Sequence, residues 1–246
     1  MKAIGCLIVL FLFSFSSVAV EIKEIVWISP EWKGYTNKDE TGIYNEIMNQ
    51  VFQEKGIKII RVYAPWKRSL VKVQASQADV TGGEVSSSLY YQSKYPLTVS
   101  RESIFFEKVT IGNWAGIQSI ENKKGVWIRG YSLGDKELEK RLKIQINDSR
   151  ENALKMVFWR RVDYYVDSHS QLLKTLENAE LPFNQDEYQI ETIKELYLYM
   201  SFSKTNRGKR IRDLYDEGIE RLYRTKKTKL KELYEKEGLL LPDLDI

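Results

Sequence analysis

Apolar positions along the chain alternate between short runs and helical stripes. Glu24 to Ser29 (EIVWIS) is a β-rich run closed by Pro30, and Ile43, Tyr44, Ile47, Met48, Val51 and Phe52 then recur at helical spacing until Gly56 ends the helix. Lys58 to Tyr63 (KIIRVY) predicts a second strand. Pro65 suits the first turn of a helix, where its missing N–H costs nothing, and Leu70 and Val73 carry the apolar face of that helix through Ala75. Ala78 to Thr81 predicts a third short strand ending at Gly82-Gly83. The pattern is strand-helix-strand-helix-strand, which folds as a right-handed parallel sheet.

A second block repeats it. Lys124 to Arg129 (KGVWIR) predicts a strand that breaks at Gly130-Tyr131-Ser132-Leu133-Gly134 before a charged helix, and Leu142 to Ile146 predicts the next strand. Ala153, Leu154, Met156 and Val157 give Asn152 to Trp159 helical periodicity, and Val162 to Val166 (VDYYV) is a strand ending at Asp167-Ser168. Leu196 to Ser203 (LYLYMSFS) predicts one more strand, followed by two amphipathic helices. Ile211, Leu214, Tyr215, Gly218, Ile219, Leu222 and Tyr223 share the face of the first, while Leu230, Leu233 and Tyr234 mark the second, which stops at Gly238.

Composition narrows the class. The chain has 246 residues, 43% hydrophobic and 29% charged, enough for one large or two small globular domains with real cores. A net charge of +4 spread over mixed-sign sequence points to no acidic partner. The basic stretch from Arg207 to Lys231 is interleaved with Asp213, Asp216, Glu217 and Glu220, which makes it a solvated helix face rather than a nucleic-acid surface.

The first residues, MKAIGCLIVLFLFSFSSVAV, combine one lysine, an apolar run from Leu7 to Phe15 and small residues at Ser17 and Ala19. They predict a secretory signal peptide, residues 1–19, cut after Ala19; a retained anchor is the alternative. Cys6 precedes the apolar run, so it is not a lipid-anchor cysteine, and the mature chain has no thiol. With His169 the only histidine, disulfides, thiolate metal sites and Ser-His chemistry are excluded, and no cofactor is expected. His169 itself reads as a surface residue.

In open α/β sheets, ligands sit beyond the carboxyl ends of the strands. The loops Ser29 to Thr41, Ala64 to Arg68 and Thr81 to Ser88 therefore converge on one cleft. Trp66 can form a flat wall there, with Trp32 and Tyr35 as a second face; alternatively, Trp66 caps the sheet as a core residue. Lys67 and Arg68 read as solvated. Gly83 and Glu84 follow the third strand, and Glu84 either pairs with a cationic group or projects into solvent. Gly130, Tyr131 and Ser132 bring backbone N–H groups to the cleft at a helix start, a place for an anion, or else form an ordinary glycine turn.

In order and spacing, GIYNEIMNQVFQEKG, VYAPWKRSL, QADV, KGVWIRGYSLG, VDYYVDS and YLYMSFSKTNRGKRIRDLYDEGIERL resemble the family 3 extracellular solute-binding proteins, which have the type II periplasmic binding fold. The resemblance covers nearly the whole mature chain. It implies an α/β architecture of two lobes, each a mostly parallel sheet flanked by helices, joined by two hinge strands, with the solute trapped by lobe closure. On that pattern residues 20–107 form the first part of lobe 1, residues 108–195 form lobe 2 and residues 196–246 return to lobe 1. The hinges fall near Phe106 to Ile111 and Ile193 to Tyr197.

The departures are specific. Amino-acid binders of this family carry T-x-x-R after the third strand, and those two positions fall here on Ser88 and Tyr91. Asp167 falls where the family holds a ligand ammonium, or else caps the helix that follows. An acidic ligand group would turn to Gly130 to Ser132, Arg101 or Arg129. The resemblance thus implies a monomeric periplasmic protein that captures a small, amine-bearing, amino-acid-like solute for an ABC-type importer. The alternatives are a sensory or accessory module with a separate partner, or a cyclohexadienyl-dehydratase-like enzyme on the same fold.

Overall fold

The computed structural model describes residues 21–179 and 181–244. The expected signal segment and its cut after Ala19 lie outside the described residues. Strands β1 (Glu24–Ser29) and β2 (Lys58–Tyr63) pair in parallel over their whole length, and β3 (Val80–Glu84) joins β1 in parallel at Trp27 and Val80. Helices α1 (Ile43–Phe52) and α2 (Trp66–Gln74) connect them, each burying the stripe expected from its spacing. A 3₁₀ turn over Gln53–Lys55 extends α1, and Gly56 closes it with a left-handed backbone.

The third strand runs further than its apolar residues. It continues through both glycines to Glu84, because Gly83 takes φ 84° and forms a bulge against Met200 and Tyr199. A short β4 (Tyr91–Gln92) follows.

Two long strands cross the molecule. β5 (Thr98–Glu107) and β9 (Tyr188–Phe202) pair antiparallel from Thr98–Leu198 to Glu107–Tyr188, with a register break at Ile193. β9 starts at Tyr188 rather than Leu196, and β5 ends at Glu107, after which Lys108–Ile111 is a turn of helix, α3. The end of β9 pairs with β3 and β4, and β5 pairs with β8 (Tyr164–Ser168), so the strands form one curled sheet in the order β2-β1-β3-β9-β5-β8-β6-β7.

Beyond this ribbon, β6 (Lys124–Ile128) and β7 (Lys143–Asn147) pair in parallel, with α4 (Lys136–Arg141) between them, and α5 (Arg150–Phe158) and α6 (His169–Asn178) cover one face. The two expected C-terminal helices are both present and run end to end as α7 (Asn206–Lys236), broken at Lys226, where φ is −137° and ψ 24°.

The buried apolar residues separate accordingly. One cluster gathers β1, β3, α1, α2 and α7, with Phe52, Met200, Phe202 and Tyr215 at its centre. Two more lie on opposite faces of the β5-β8-β6 sheet: Phe105, Leu154 and Leu172 on one side, Phe106, Leu133 and Tyr164 on the other. Alternation along β5 sends Ile104 and Phe106 to one cluster and Phe105 to the other.

Candidate functional site

A cavity of about 130 Å³ lies where these bodies meet. A single water needs roughly 10–15 Å³ by the same measure, so the space suits a small solute. Trp32, Tyr35, Trp66, Gly83 and Glu84 line it from one side, and Gly130, Tyr131, Ser132 and Asp167 from the other. Arg101 and Arg129 do not line it.

The loop after β1 is fixed by backbone hydrogen bonds from Ile43 to Gly34 O (3.1 Å) and from Tyr44 to Tyr35 O (3.0 Å). Only glycine fits at position 42 between them. Its φ is 103°, and a Cβ there would stand 2.7 Å from the Tyr35 backbone. The loop so held presents Trp32 against Trp66, ring centroids 5.3 Å apart, and Tyr35 edge-on to Tyr44 at 5.0 Å. Trp66 combines both expectations: it is 8% exposed within the first cluster, and its remaining surface faces the cavity. Lys67 and Arg68 are exposed, as expected.

Glu84 accepts a hydrogen bond from Ser201 Oγ at 2.9 Å. Burial pushes its carboxyl up to about 6 against the opposing effects of Ser201 and Lys67. Burial also pushes the Tyr35 phenol, which is hydrogen-bonded to Ser170, up to about 12.

Asp167 lies inside β8, and Ser168 rather than Asp167 is the N-cap of α6. Its oxygens are engaged: Arg150 Nε donates to Oδ2 at 2.8 Å, Tyr165 Oη donates to the same oxygen, and the Ser168 N–H donates to Oδ1 at 2.8 Å. Arg150 also donates from Nη2 to the Tyr131 hydroxyl and sits 5.4 Å from that ring centroid. Burial works against the guanidinium charge, but Asp167, Tyr131 and Tyr165 together more than offset it, so Arg150 holds its proton more firmly than usual.

The Gly130–Ser132 segment is a turn and not a helix start. Tyr131 N–H donates to Ile128 O, Ser132 Oγ donates to Glu139 Oε1 at 2.6 Å, and α4 begins later behind its own cap, Asp135. Arg129 is spent on Asp148 at 2.7 Å on the surface. Arg101 sits between Ser100 and Glu102, which both line the cavity, so strand alternation turns it to the opposite face. There its charge, after burial, helps to lower the pKa of half-buried His169.

Sequence reasoning missed Glu102 and Arg150. Glu102 projects from β5 with Thr98 and Ser100 on the same face. It accepts from Ser100 Oγ at 2.5 Å, and its residual accessible surface opens on the cavity. Burial pushes it up to about 7; Ser100 and Arg150 oppose that rise, and Asp167 adds to it. The carboxyl-end rule, extended to β7, would have led to Arg150, which follows that strand by three residues at the start of α5. No such rule reaches Glu102, because β5 is a crossing strand.

Two residues that line the cavity, Thr98 and Gln171, each bury a polar atom, Oγ1 and Nε2, that has no hydrogen-bond partner among the described residues. The Gln171 amide lies close enough to the Tyr35 hydroxyl to oppose the rise in its pKa, but short of full hydrogen-bond geometry. Contacts outside the cavity hold its two sides together: Lys174 Nζ to Glu237 Oε2 at 2.8 Å, and Lys33 Nζ to Asn178 Oδ1 at 2.7 Å. Ser88 and Tyr91 do not line the cavity. Among the described residues no group of three His, Cys, Asp or Glu side chains is placed to hold a metal, and no helix is long and apolar enough to cross a membrane.

Solved structures share this architecture. A histidine kinase sensor domain with similarity to periplasmic binding proteins matches with a TM-score of 0.75 and 16% identity, over 90% of this chain and 99% of that one. An ancestral amino acid-binding protein, a precursor of cyclohexadienyl dehydratase, matches with a TM-score of 0.69 and 15% identity, over 87% and 94%. An amino acid ABC transporter substrate-binding protein from Streptococcus pneumoniae, bound to L-arginine, matches with a TM-score of 0.68 and 15% identity, over 87% and 94%. No model of a protein family matches the chain, and no curated protein sequence matches it. At these identities the likeness is one of fold, and it agrees with the resemblance carried by the sequence motifs: the chain has the two-lobed periplasmic-binding-protein fold.

Proposed function

We propose that the protein is an exported solute-binding protein that closes two lobes around a small, polar, amine-bearing solute and delivers it to an ABC-type importer. One observation carries the reading: a half-open cavity with aromatic walls and three carboxylates, Glu84, Glu102 and Asp167, against one guanidinium, Arg150. An excess of carboxylates favours a ligand cation, which draws them into their ionised form, and Trp32 and Trp66 add faces that suit the same charge. The chain crosses into the second lobe within β5, ahead of Ile104, Phe105 and Phe106, which pack in that lobe's clusters, rather than at residue 107, and it crosses back near residue 195. It starts near Val20 once the leader is removed, and the protein works as a monomer in the periplasm. The hinges lie in the crossing strands, and the register break at Ile193 supports a flexing point there.

A second reading, ligand sensing through a separate membrane partner, is favoured by the likeness to the kinase sensor domain. Both readings require the same capture event.

Native mass spectrometry of protein purified without denaturation, followed by calorimetry and solution scattering with the solute so found, tests the proposal. A co-purified amine-bearing solute that rebinds and compacts the protein supports it. Turnover of a prephenate-like substrate, or an unchanged radius at saturation, overturns it.

A further inference from the structure

The polar groups of the cavity are unequally used. Asp167, which the family pattern assigns to a ligand ammonium, already accepts three hydrogen bonds, from Arg150, Tyr165 and the Ser168 N–H. A carboxylate offers about four lone-pair sites, so little capacity remains. Glu102 has one side-chain partner, Ser100 Oγ, and faces the cavity. On the donor side, Arg150 makes one bond from Nε and one from Nη2, and a guanidinium carries about five N–H donors, so donors are left over. Gln171 Nε2 is unpartnered in a residue 7% exposed. Arg150 and Glu102 feel each other's charge, yet no ion pair joins them among the described residues.

We propose that the solute bears both charges and lies with its cationic group on Glu102 of the crossing strand β5 and its anionic group on Arg150 and Gln171 of helices α5 and α6. This inverts the polarity of the family pattern, in which the anion clamp belongs to the first lobe and the ammonium partner to the second. It rests on the solute-binding reading above.

The inversion accounts for three observations together. The first-lobe positions of the T-x-x-R motif can be Ser88 and Tyr91 because the anion is taken on the other side of the cavity. The Arg150–Asp167 pair orients the guanidinium by holding its Nε, leaving the remaining donors to the ligand. The lone Gln171 donor gains an acceptor. A purely cationic solute would leave Gln171 and Arg150 donors without partners, and a purely anionic one would leave Glu102 without a counter-charge, to be neutralised by a proton at a cost in affinity.

The test is calorimetric binding of three probe sets to the full mature chain: a panel of L-α-amino acids, the amines that lack the carboxylate, and the 2-hydroxy acids that lack the amine. The wild type, Glu102→Gln and Gln171→Met are compared. Gln171 Nε2 has no partner of full hydrogen-bond geometry among the described residues, so its replacement spares the fold, whereas an Arg150 substitution strands the buried Asp167 carboxylate. The expected result is that an amino acid binds the wild type at least about tenfold tighter than either truncated analogue. Glu102→Gln erases the preference over the hydroxy acid, and Gln171→Met erases much of the preference over the amine. Equal binding of an analogue lacking either group, or unchanged preferences in both variants, overturns the orientation and leaves the solute-binding reading standing. Absence of binding by every probe overturns both.

Discussion

Arg150 Nε stands 2.8 Å from Asp167 Oδ2, and the Asp167 side chain is 1% exposed. Such a pair contributes little net stability when whole, but removing one partner strands the other charge in protein. Asp167→Ala is therefore expected to destabilise the ligand-free protein by about 3–5 kcal/mol, read as a lower urea midpoint at unchanged slope. The sequence expectation of a free ligand contact implied no such loss. A midpoint unchanged from wild type would return Asp167 to the ligand.

Trp66 carries two roles at once. Packed in the first cluster and against Trp32, it behaves as a core residue when truncated, so Trp66→Ala is expected to cost about 3–5 kcal/mol, measured by denaturation. Trp66→Phe keeps most of the packing and part of the wall. It should retain most of the stability while lowering solute affinity. Equal affinity in Trp66→Phe and wild type would make the ring purely structural.

The parts legible in the sequence are those whose polarity follows the fold. β1 and β2 were read to the residue, since both are apolar runs set in a parallel sheet, and α1 and α2 show one buried stripe each. β5 escaped because its cavity face is Thr98, Ser100 and Glu102, polar where a packed strand is apolar. The first half of β9 escaped for a similar reason, with Glu191, Lys194 and Glu195 along a partly exposed ribbon. The strands hidden from hydrophobic patterning are thus the ones that frame the site. The aromatic wall was found because it follows strand ends. The charged pair was misjudged because sequence could place Asp167 but could not show Arg150 already holding it.

Lys174 and Glu237 bridge the two sides of the cavity from α6 to the end of α7, each with about a fifth of its side chain exposed (23% and 21%). Lys174 also lies 5.1 Å from the Tyr35 ring centroid. If closure traps the solute, this pair stabilises the closed form and has little to do in the open one. Lys174→Met should speed solute release and weaken affinity by about fivefold, the scale of a partly screened ion pair, with little change in unfolding. Stopped-flow release is the measurement. An unchanged off-rate would show that the bridge does not act as a latch.

Glu102 makes both stability and solute binding depend on pH. Its carboxyl is raised from 4.5 to about 7, chiefly by burial, with Asp167 on β8 adding to the rise and Ser100 on β5 and Arg150 on α5 opposing it. Between these two values the folded protein binds more protons at this site than the unfolded chain does. Stability from this group is therefore fully present below about pH 4.5 and is lost as pH climbs through about 7, a change of up to about 3 kcal/mol. Glu84, raised to about 6, slopes in the same direction, so the diagnostic quantity is the difference between wild type and Glu102→Gln, which lacks the contribution of Glu102 alone. Solute binding should run the opposite way. A ligand cation favours the ionised carboxylate, so affinity rises as pH climbs towards 7 and then levels, and at pH 6 binding expels a proton. Calorimetry at pH 6 in buffers of different ionisation enthalpy measures that proton. Its release by wild type and its absence in Glu102→Gln are the expected pair of results; equal release by both proteins would assign the titrating group elsewhere.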